Sequence, residues 1–185
     1  MNVSKHIVLG SKSPRRQELL RMLDLDFTCV AIDADEHYPS SLRAADIPRY
    51  IARQKAAAFG PVNTDTLLIT ADTVVILDDA VYGKPTSNDD ARRMLHELSG
   101  REHEVITGVC LVCGAKQHSF AVSSSVRFAC LTDDEIDYYV SHYHPTDKAG
   151  AYGIQEWIGA VGVEHISGSY FNVMGLPVHR LWHEM

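Results

Sequence analysis

The chain has 185 residues, 45% of them hydrophobic and 22% charged, and carries a formal net charge of −7. That balance is ordinary for a water-soluble globular protein with a buried core, one domain or one domain with a small lobe, and it argues against a nucleic-acid face, which needs a broad excess of Lys and Arg. No run approaches the roughly 20 apolar residues of a membrane span, and the first residues lack the long apolar core of a signal peptide, so a cytoplasmic protein is expected.

The first element is the short apolar run Ile7-Val8-Leu9, which reads as a strand. Ser11-Lys12-Ser13-Pro14-Arg15-Arg16 follows, then Leu19, Leu20, Met22 and Leu23 at helical spacing. Ser13 is a good N-cap and Pro14 suits the first helical position. Arg15 and Arg16 then fall in the first turn, where the helix dipole disfavours cations. Backbone N–H groups, serine hydroxyls and two guanidinium forks at one helix start suit a phosphate chain. From this hexapeptide alone, a capped surface helix with two solvated arginines reads equally well.

Further along, Phe27 to Ile32 reads as a strand and Asp33-Ala34-Asp35-Glu36-His37 as an acidic turn. A helix is predicted from Ile47 to Phe59, ended by Gly60-Pro61, and an apolar strand over residues 67–77. Ser87-Asn88-Asp89-Asp90 caps a helix bearing Ala91, Met94, Leu95 and Leu98. Two long strands, His103 to Cys113 and Gln117 to Leu131, are joined at Gly114-Ala115-Lys116 as a hairpin candidate. Thr132-Asp133-Asp134-Glu135 has the form of a capping box for a helix bearing Ile136, Tyr139, Val140 and Tyr143. A strand is expected from Gly159 to Ile166 and a short helix after Pro177. Helix-joined strands followed by a hairpin imply an α/β sheet of mixed direction.

Cys29, Cys110, Cys113 and Cys130 lie in apolar or β-rich stretches and read as buried free thiols. The Cys110-x-x-Cys113 pair falls in a strand, where positions three apart face opposite sides, so a single metal would not readily collect both. His179 and His183 have ligand-compatible spacing but lack a zincin glutamate and a nearby third ligand, while His142 and His144 flank a helix end.

Asp72 stands inside the apolar run 67–77. Buried and unpaired, its carboxylate would cost several kcal/mol, so it demands a cation or a metal; the alternative is a bulge or turn that exposes it. Lys84 lies in the turn-like Tyr82-Gly83-Lys84-Pro85, and Lys55 sits beside Ala56, Ala57 and Ala58. The small residues of Asp147-Lys148-Ala149-Gly150-Ala151-Tyr152-Gly153-Ile154-Gln155 leave a bare backbone that a ligand can approach, and the Gln155 amide can pair with the edge of a nucleobase. A plain loop with a surface glutamine is the other reading.

Taken together, SKSPRRQELL at 11–20, Glu36, RQKAAA at 53–58, ADTVV at 71–75, GKP at 83–85, SGREHEVITG at 99–108, DKAGAYGIQ at 147–155 and GSYFNVMGLP at 168–177 resemble the Maf family of nucleoside triphosphate pyrophosphatases. The resemblance spans nearly the whole chain and implies one Maf-like domain over residues 1–185. It implies a mixed sheet flanked by helices, with two lobes and a central cleft, similar to the inosine triphosphate pyrophosphatase-like fold. Members are cytoplasmic, use a divalent metal such as Mg2+ or Mn2+, and often form homodimers. By position, Asp72 matches the family's proton-accepting carboxylate, and Arg15, Thr73 and Gln155 match positions that tune substrate choice. Lys55, Lys84 and Glu36 match charged positions of the pocket, the lysines grouped with Asp72 as catalytic, and Ser13 and Arg16 complete the phosphate loop. The AYGIQ form looks like the branch that hydrolyses dTTP and UTP.

The chemistry of the residues agrees with that resemblance. Arg15, Arg16, Lys55 and Lys84 could neutralise a triphosphate, and Mg2+ is typically held by one or two carboxylates plus substrate oxygens, here Asp72 and Glu36. The expected substrate is therefore a nucleoside triphosphate, with neither nucleic acid nor membrane as partner. A nucleotide-binding regulator of cell division without turnover is the rival expectation.

Overall fold

The computed structural model describes residues 5–185. In chain order its elements are β1 (His6–Leu9), α1 (Pro14–Arg21), β2 (Phe27–Cys29), α2 (Ile47–Phe59), β3 (Thr66–Leu77), β4 (Ala80–Tyr82), α3 (Asn88–Leu98), β5 (Glu102–Cys113), β6 (Lys116–Phe128), α4 (Asp133–Tyr143), α5 (Trp157–Gly162), β7 (Val163–Ser167), α6 (Tyr170–Met174) and α7 (Val178–Glu184). Hydrogen bonding orders the strands β2-β1-β3-β5-β6-β7, with β4 paired to β3. β1 runs parallel to β2 and β3, whereas β3–β4 and β6–β7 are antiparallel, so the sheet is mixed. Among the described residues no helix is long and apolar enough to cross a membrane.

The chain divides into two compact units. The first runs up to Asp72 and adds Thr107–Val122 and Gly175–Met185. Its core gathers Val8, Leu68, Ala52, Ala56 and Cys110, with Ile32, Phe59, Val62 and Val112 packed against them. The small faces of Ala52 and Ala56 let α2 lie close to the strands, and Gly60, at φ 89°, ends that helix where expected. β2 is shorter than predicted. Val30 still donates to Leu9 at 3.0 Å, after which the chain leaves the ladder so that Ile32 can join the core.

The second unit comprises Thr73–Ile106 and Ser123–Met174. Asp78 and Asp79, both with positive φ, turn β3 into β4, the backbone twist that a two-residue hairpin favours. Ser87 caps α3, and Thr132 with Glu135 forms the reciprocal capping box of α4. The two helices pack against each other. β6 stops at Phe128, short of the predicted Leu131, because the Leu131 N–H turns to the Ser99 hydroxyl at 2.7 Å.

Two expectations are corrected. Gly159 to Gly162 is helical, belonging to α5, and the strand begins only at Val163. The run Trp157-Ile158-Gly159-Ala160-Val161 is too short for its period to decide, and close approach decides instead: a Cβ on Gly159 would stand 1.9 Å from the Ile154 carbonyl oxygen. The cysteines are free thiols, but only Cys110 is buried; Cys29 and Cys130 are exposed and Cys113 is intermediate. For Cys29 the reason is that β2 ends there, with its residues half-buried at best.

Candidate active site

Two periodicities create the charged centre of the first unit. On β3, Thr70 and Asp72 are two residues apart and share a strand face; on α2, Ala52, Lys55 and Ala56 share one helical stripe. The Thr70 hydroxyl donates to the Ala52 carbonyl at 2.7 Å, locking strand to helix one turn before Lys55. The Lys55 ammonium then reaches Asp72 at 2.7 Å and Glu36 at 2.9 Å. Asp72 is only 8% exposed, and β3 runs unbroken through it, so the reading of an exposed bulge or turn is set aside. Glu36 sits on irregular chain, about half-exposed. Its neighbour Asp35 is engaged by the backbone N–H and ring of His37, which hold the Asp35 carboxyl below its ordinary range.

The start of α1 is built as the sequence indicated. The Ser13 hydroxyl accepts from the Arg16 N–H at 3.5 Å, and the Ser11 hydroxyl accepts from the Ser13 N–H at 3.2 Å. The first turn holds no acid. Arg15 is half-buried at that end. Arg16 has a structural task that the sequence reading did not include. Its Nε donates to the Gly175 carbonyl at 2.8 Å and its Nη1 to the Ala71 carbonyl at 2.9 Å, fastening α1 to the residue preceding Asp72. Burial pushes this guanidinium below its usual range, Asp72 opposes that shift, and Arg15 adds to it.

Of the remaining sequence candidates, Thr73 is half-buried on β3, Lys84 is exposed between β4 and α3, and Gln155 is exposed just before α5. The Gly150 N–H donates to the Gly83 carbonyl at 3.1 Å, tying the loop that ends in Gln155 to the residue preceding Lys84. Gly150 and Ala151 both have left-handed backbone, φ 66° and 59°. Tyr152 meets His103 Nε2 through its hydroxyl at 2.8 Å, and burial drives that histidine down to about 4, so it is neutral near pH 7.

A second group was missed by sequence reasoning. The Tyr139 hydroxyl accepts from the Gly153 N–H at 3.0 Å and donates to Glu156 Oε2. Glu156 Oε1 lies 3.1 Å from Lys148 Nζ, which also meets Asp147 at 2.8 Å. Tyr139 read only as an apolar position of α4. The adjacency of Glu156 to Gln155 and of Lys148 to Asp147 was visible, but not their convergence. His179 and His183, four apart on α7, form an edge-to-face ring pair.

The donor set can be tested for a divalent ion. Among the described residues no three His, Cys, Asp or Glu side chains converge as a metal site. Asp72 and Glu36 nevertheless present hard carboxylate oxygens to one shared cation, Lys55 Nζ. Two protein carboxylates with the remaining ligands from substrate and water is the usual Mg2+ arrangement, and the pair fits it.

These features define an α/β protein with a mixed sheet, whose charged centre is a buried strand aspartate clamped by a helix lysine beside a basic helix start. The model of the family described as "Maf-like protein" matches residues 6–185, and the chain belongs to that family. It is 55% identical over 187 residues to the dTTP/UTP pyrophosphatase of Phocaeicola vulgatus, covering 100% of this chain and 97% of that protein. It is 53% identical over 189 residues to the dTTP/UTP pyrophosphatase of Porphyromonas gingivalis, covering 100% of this chain and 95% of that protein. Among solved structures, the Staphylococcus aureus Ham1 protein overlaps 68% of this chain and 72% of its own, with a TM-score of 0.49 and 14% identity.

Proposed function

We propose that residues 1–185 act as one domain, a cytoplasmic nucleoside triphosphate pyrophosphatase that hydrolyses dTTP and UTP to the monophosphate and pyrophosphate. The observation that carries this reading is the Asp72 carboxylate, 8% exposed and held by Lys55, in a chain 55% identical to a dTTP/UTP pyrophosphatase. Asp72 accepts a proton from water as the water oxygen bonds to phosphorus and the bridging P–O bond to the leaving pyrophosphate breaks. Lys55 pairs with that carboxylate and aims it. Arg15 and the N–H groups at the start of α1 take phosphate oxygens, and Lys84 offsets charge that develops in the transition state. Ser13 and Arg16 hold that helix start in shape. Asp72 and Glu36 would hold a divalent ion, which supplies Lewis-acid polarisation and a more acidic water. Thr73 and Gln155 set substrate choice. Thymine and uracil present an N–H between two carbonyls, a pattern the Gln155 amide meets with its acceptor and its donor.

The test is turnover of a panel of nucleoside triphosphates with Mg2+ or Mn2+, the products separated by chromatography. Monophosphate and pyrophosphate from dTTP and UTP are expected. Diphosphate and orthophosphate as first products would reject the reaction, and tight binding without turnover under either metal would turn the reading to a nucleotide-binding regulator.

A further inference from the structure

Gln155 is an exposed side chain on a loop, yet its amide must hold a fixed pose if it is to discriminate bases. The structure carries a device for this. The Gln155 amide folds over Gly153: its Nε2 lies 2.9 Å from where a Cβ on Gly153 would stand, and the Glu156 carboxylate carbon lies 2.9 Å from the same point. The ends of two side chains thus close over Gly153. Its N–H is held at 3.0 Å by the Tyr139 hydroxyl, which is fully buried and in turn donates to Glu156. Glu156 is countered by Lys148, whose side chain is 8% exposed. Burial and the Glu156 carboxylate both raise the Tyr139 phenol, which keeps its proton and so remains the donor to Glu156.

We propose that Tyr139, Glu156 and Lys148 are positioning residues for base selection: a largely buried Lys148–Glu156–Tyr139–Gly153 chain that fixes the backbone and side-chain pose of Gln155. The inference rests on the reading of Gln155 as the residue that contacts the base. A cation, a carboxylate, a phenol and a backbone N–H in sequence leave each donor with an acceptor, the condition under which a buried polar network rigidifies its surroundings. The left-handed Ala151 on the same loop is a conformation that persists only where neighbouring contacts over-determine it.

The experiment is a double-mutant cycle on the ratio of kcat/KM for UTP to that for GTP, using Tyr139→Phe, Gln155→Ala and the pair. Tyr139→Phe removes one oxygen from the chain and keeps the ring. In the presence of Gln155 it is expected to lower the ratio about fivefold or more, and in the Gln155→Ala background by less than about twofold. Inhibition by inorganic triphosphate, which has no base, should stay within about twofold throughout. A ratio that Tyr139→Phe leaves unchanged, or lowers equally in both backgrounds, overturns the positioning role. A ratio that Gln155→Ala leaves unchanged overturns the reading of Gln155 itself, a separate outcome. Should Tyr139→Phe not fold by circular dichroism, Glu156→Gln replaces it in the same cycle, with the same outcomes deciding.

Discussion

The charged centre of the first unit and the loop at 147–156 of the second are both polar constructions in an apolar setting, but they are held in opposite ways. Lys55, Asp72 and the Arg15-Arg16 pair sit on regular elements. The positions of Lys55 and Asp72 follow from two periods, two residues along β3 and one turn along α2, locked by the Thr70–Ala52 hydrogen bond, and the arginines from the capped start of α1. The loop has no period to rely on. Left-handed residues at 150 and 151 aim it, and contacts to Tyr139 and His103 pin it. Removing the Asp72 charge from the first region should therefore alter chemistry while the fold persists. Removing a neutral hydroxyl from the second should alter geometry while the chemistry persists.

The largest effect that would break this contrast is at Asp72. Asp72→Asn keeps the size and one acceptor oxygen but cannot take up the proton, so turnover should fall by about a hundredfold or more while circular dichroism still reports a folded chain. Near-wild-type turnover with an unchanged metal requirement would remove Asp72 from the chemistry. The next effect sharpens the contrast within α1. Arg16→Met leaves the Ala71 and Gly175 carbonyls without the guanidinium that serves them, and unfolding in urea should show a loss of about 2–3 kcal/mol without any ligand. Arg15→Met relieves the helix dipole and should cost less ligand-free stability than Arg16→Met while weakening substrate binding. Equal stability losses for both would mean that the two arginines share one role.

Most of the first region was legible in the sequence because its signals are local. Ser13, Pro14 and the leucine spacing define α1, Ile47 to Phe59 forms α2 over the predicted span, and a carboxylate inside an apolar strand requires a partner. That the partner is Lys55 depends on which helix lies against which strand face, and this no local pattern states. The task of Arg16 was hidden for the same reason: its acceptor at Gly175 lies 159 residues away. In the second region the capping box gave α4 and its apolar stripe, so Tyr139 was placed correctly as core, but an apolar position says nothing about where a phenol hydroxyl points. The boundary at Gly159 was misread because the six residues Trp157 to Gly162 are too few for either period to decide.

The smallest predicted effect tests the anchoring of the loop rather than its chemistry. His103 is 3% exposed, in edge contact with Phe128 and Tyr152, and burial lowers it from 6.5 to about 4. Well above pH 6.5 the imidazole is neutral in both the folded and the unfolded chain and contributes no pH dependence. Below it the unfolded chain takes up a proton that the folded chain refuses until about pH 4, so stability falls as pH drops through that window. The loss amounts to about 1.2 kcal/mol by pH 5.5 relative to pH 7. Carboxylates also titrate towards the lower end, so the measurement is the difference between wild type and His103→Gln, which can still hydrogen-bond Tyr152 but does not titrate. Urea unfolding at pH 7 and 5.5 should show the smaller drop in the variant by about that amount. Identical drops in both proteins would mean that the imidazole is accommodated as a cation and that the Tyr152 anchor does not depend on its neutrality.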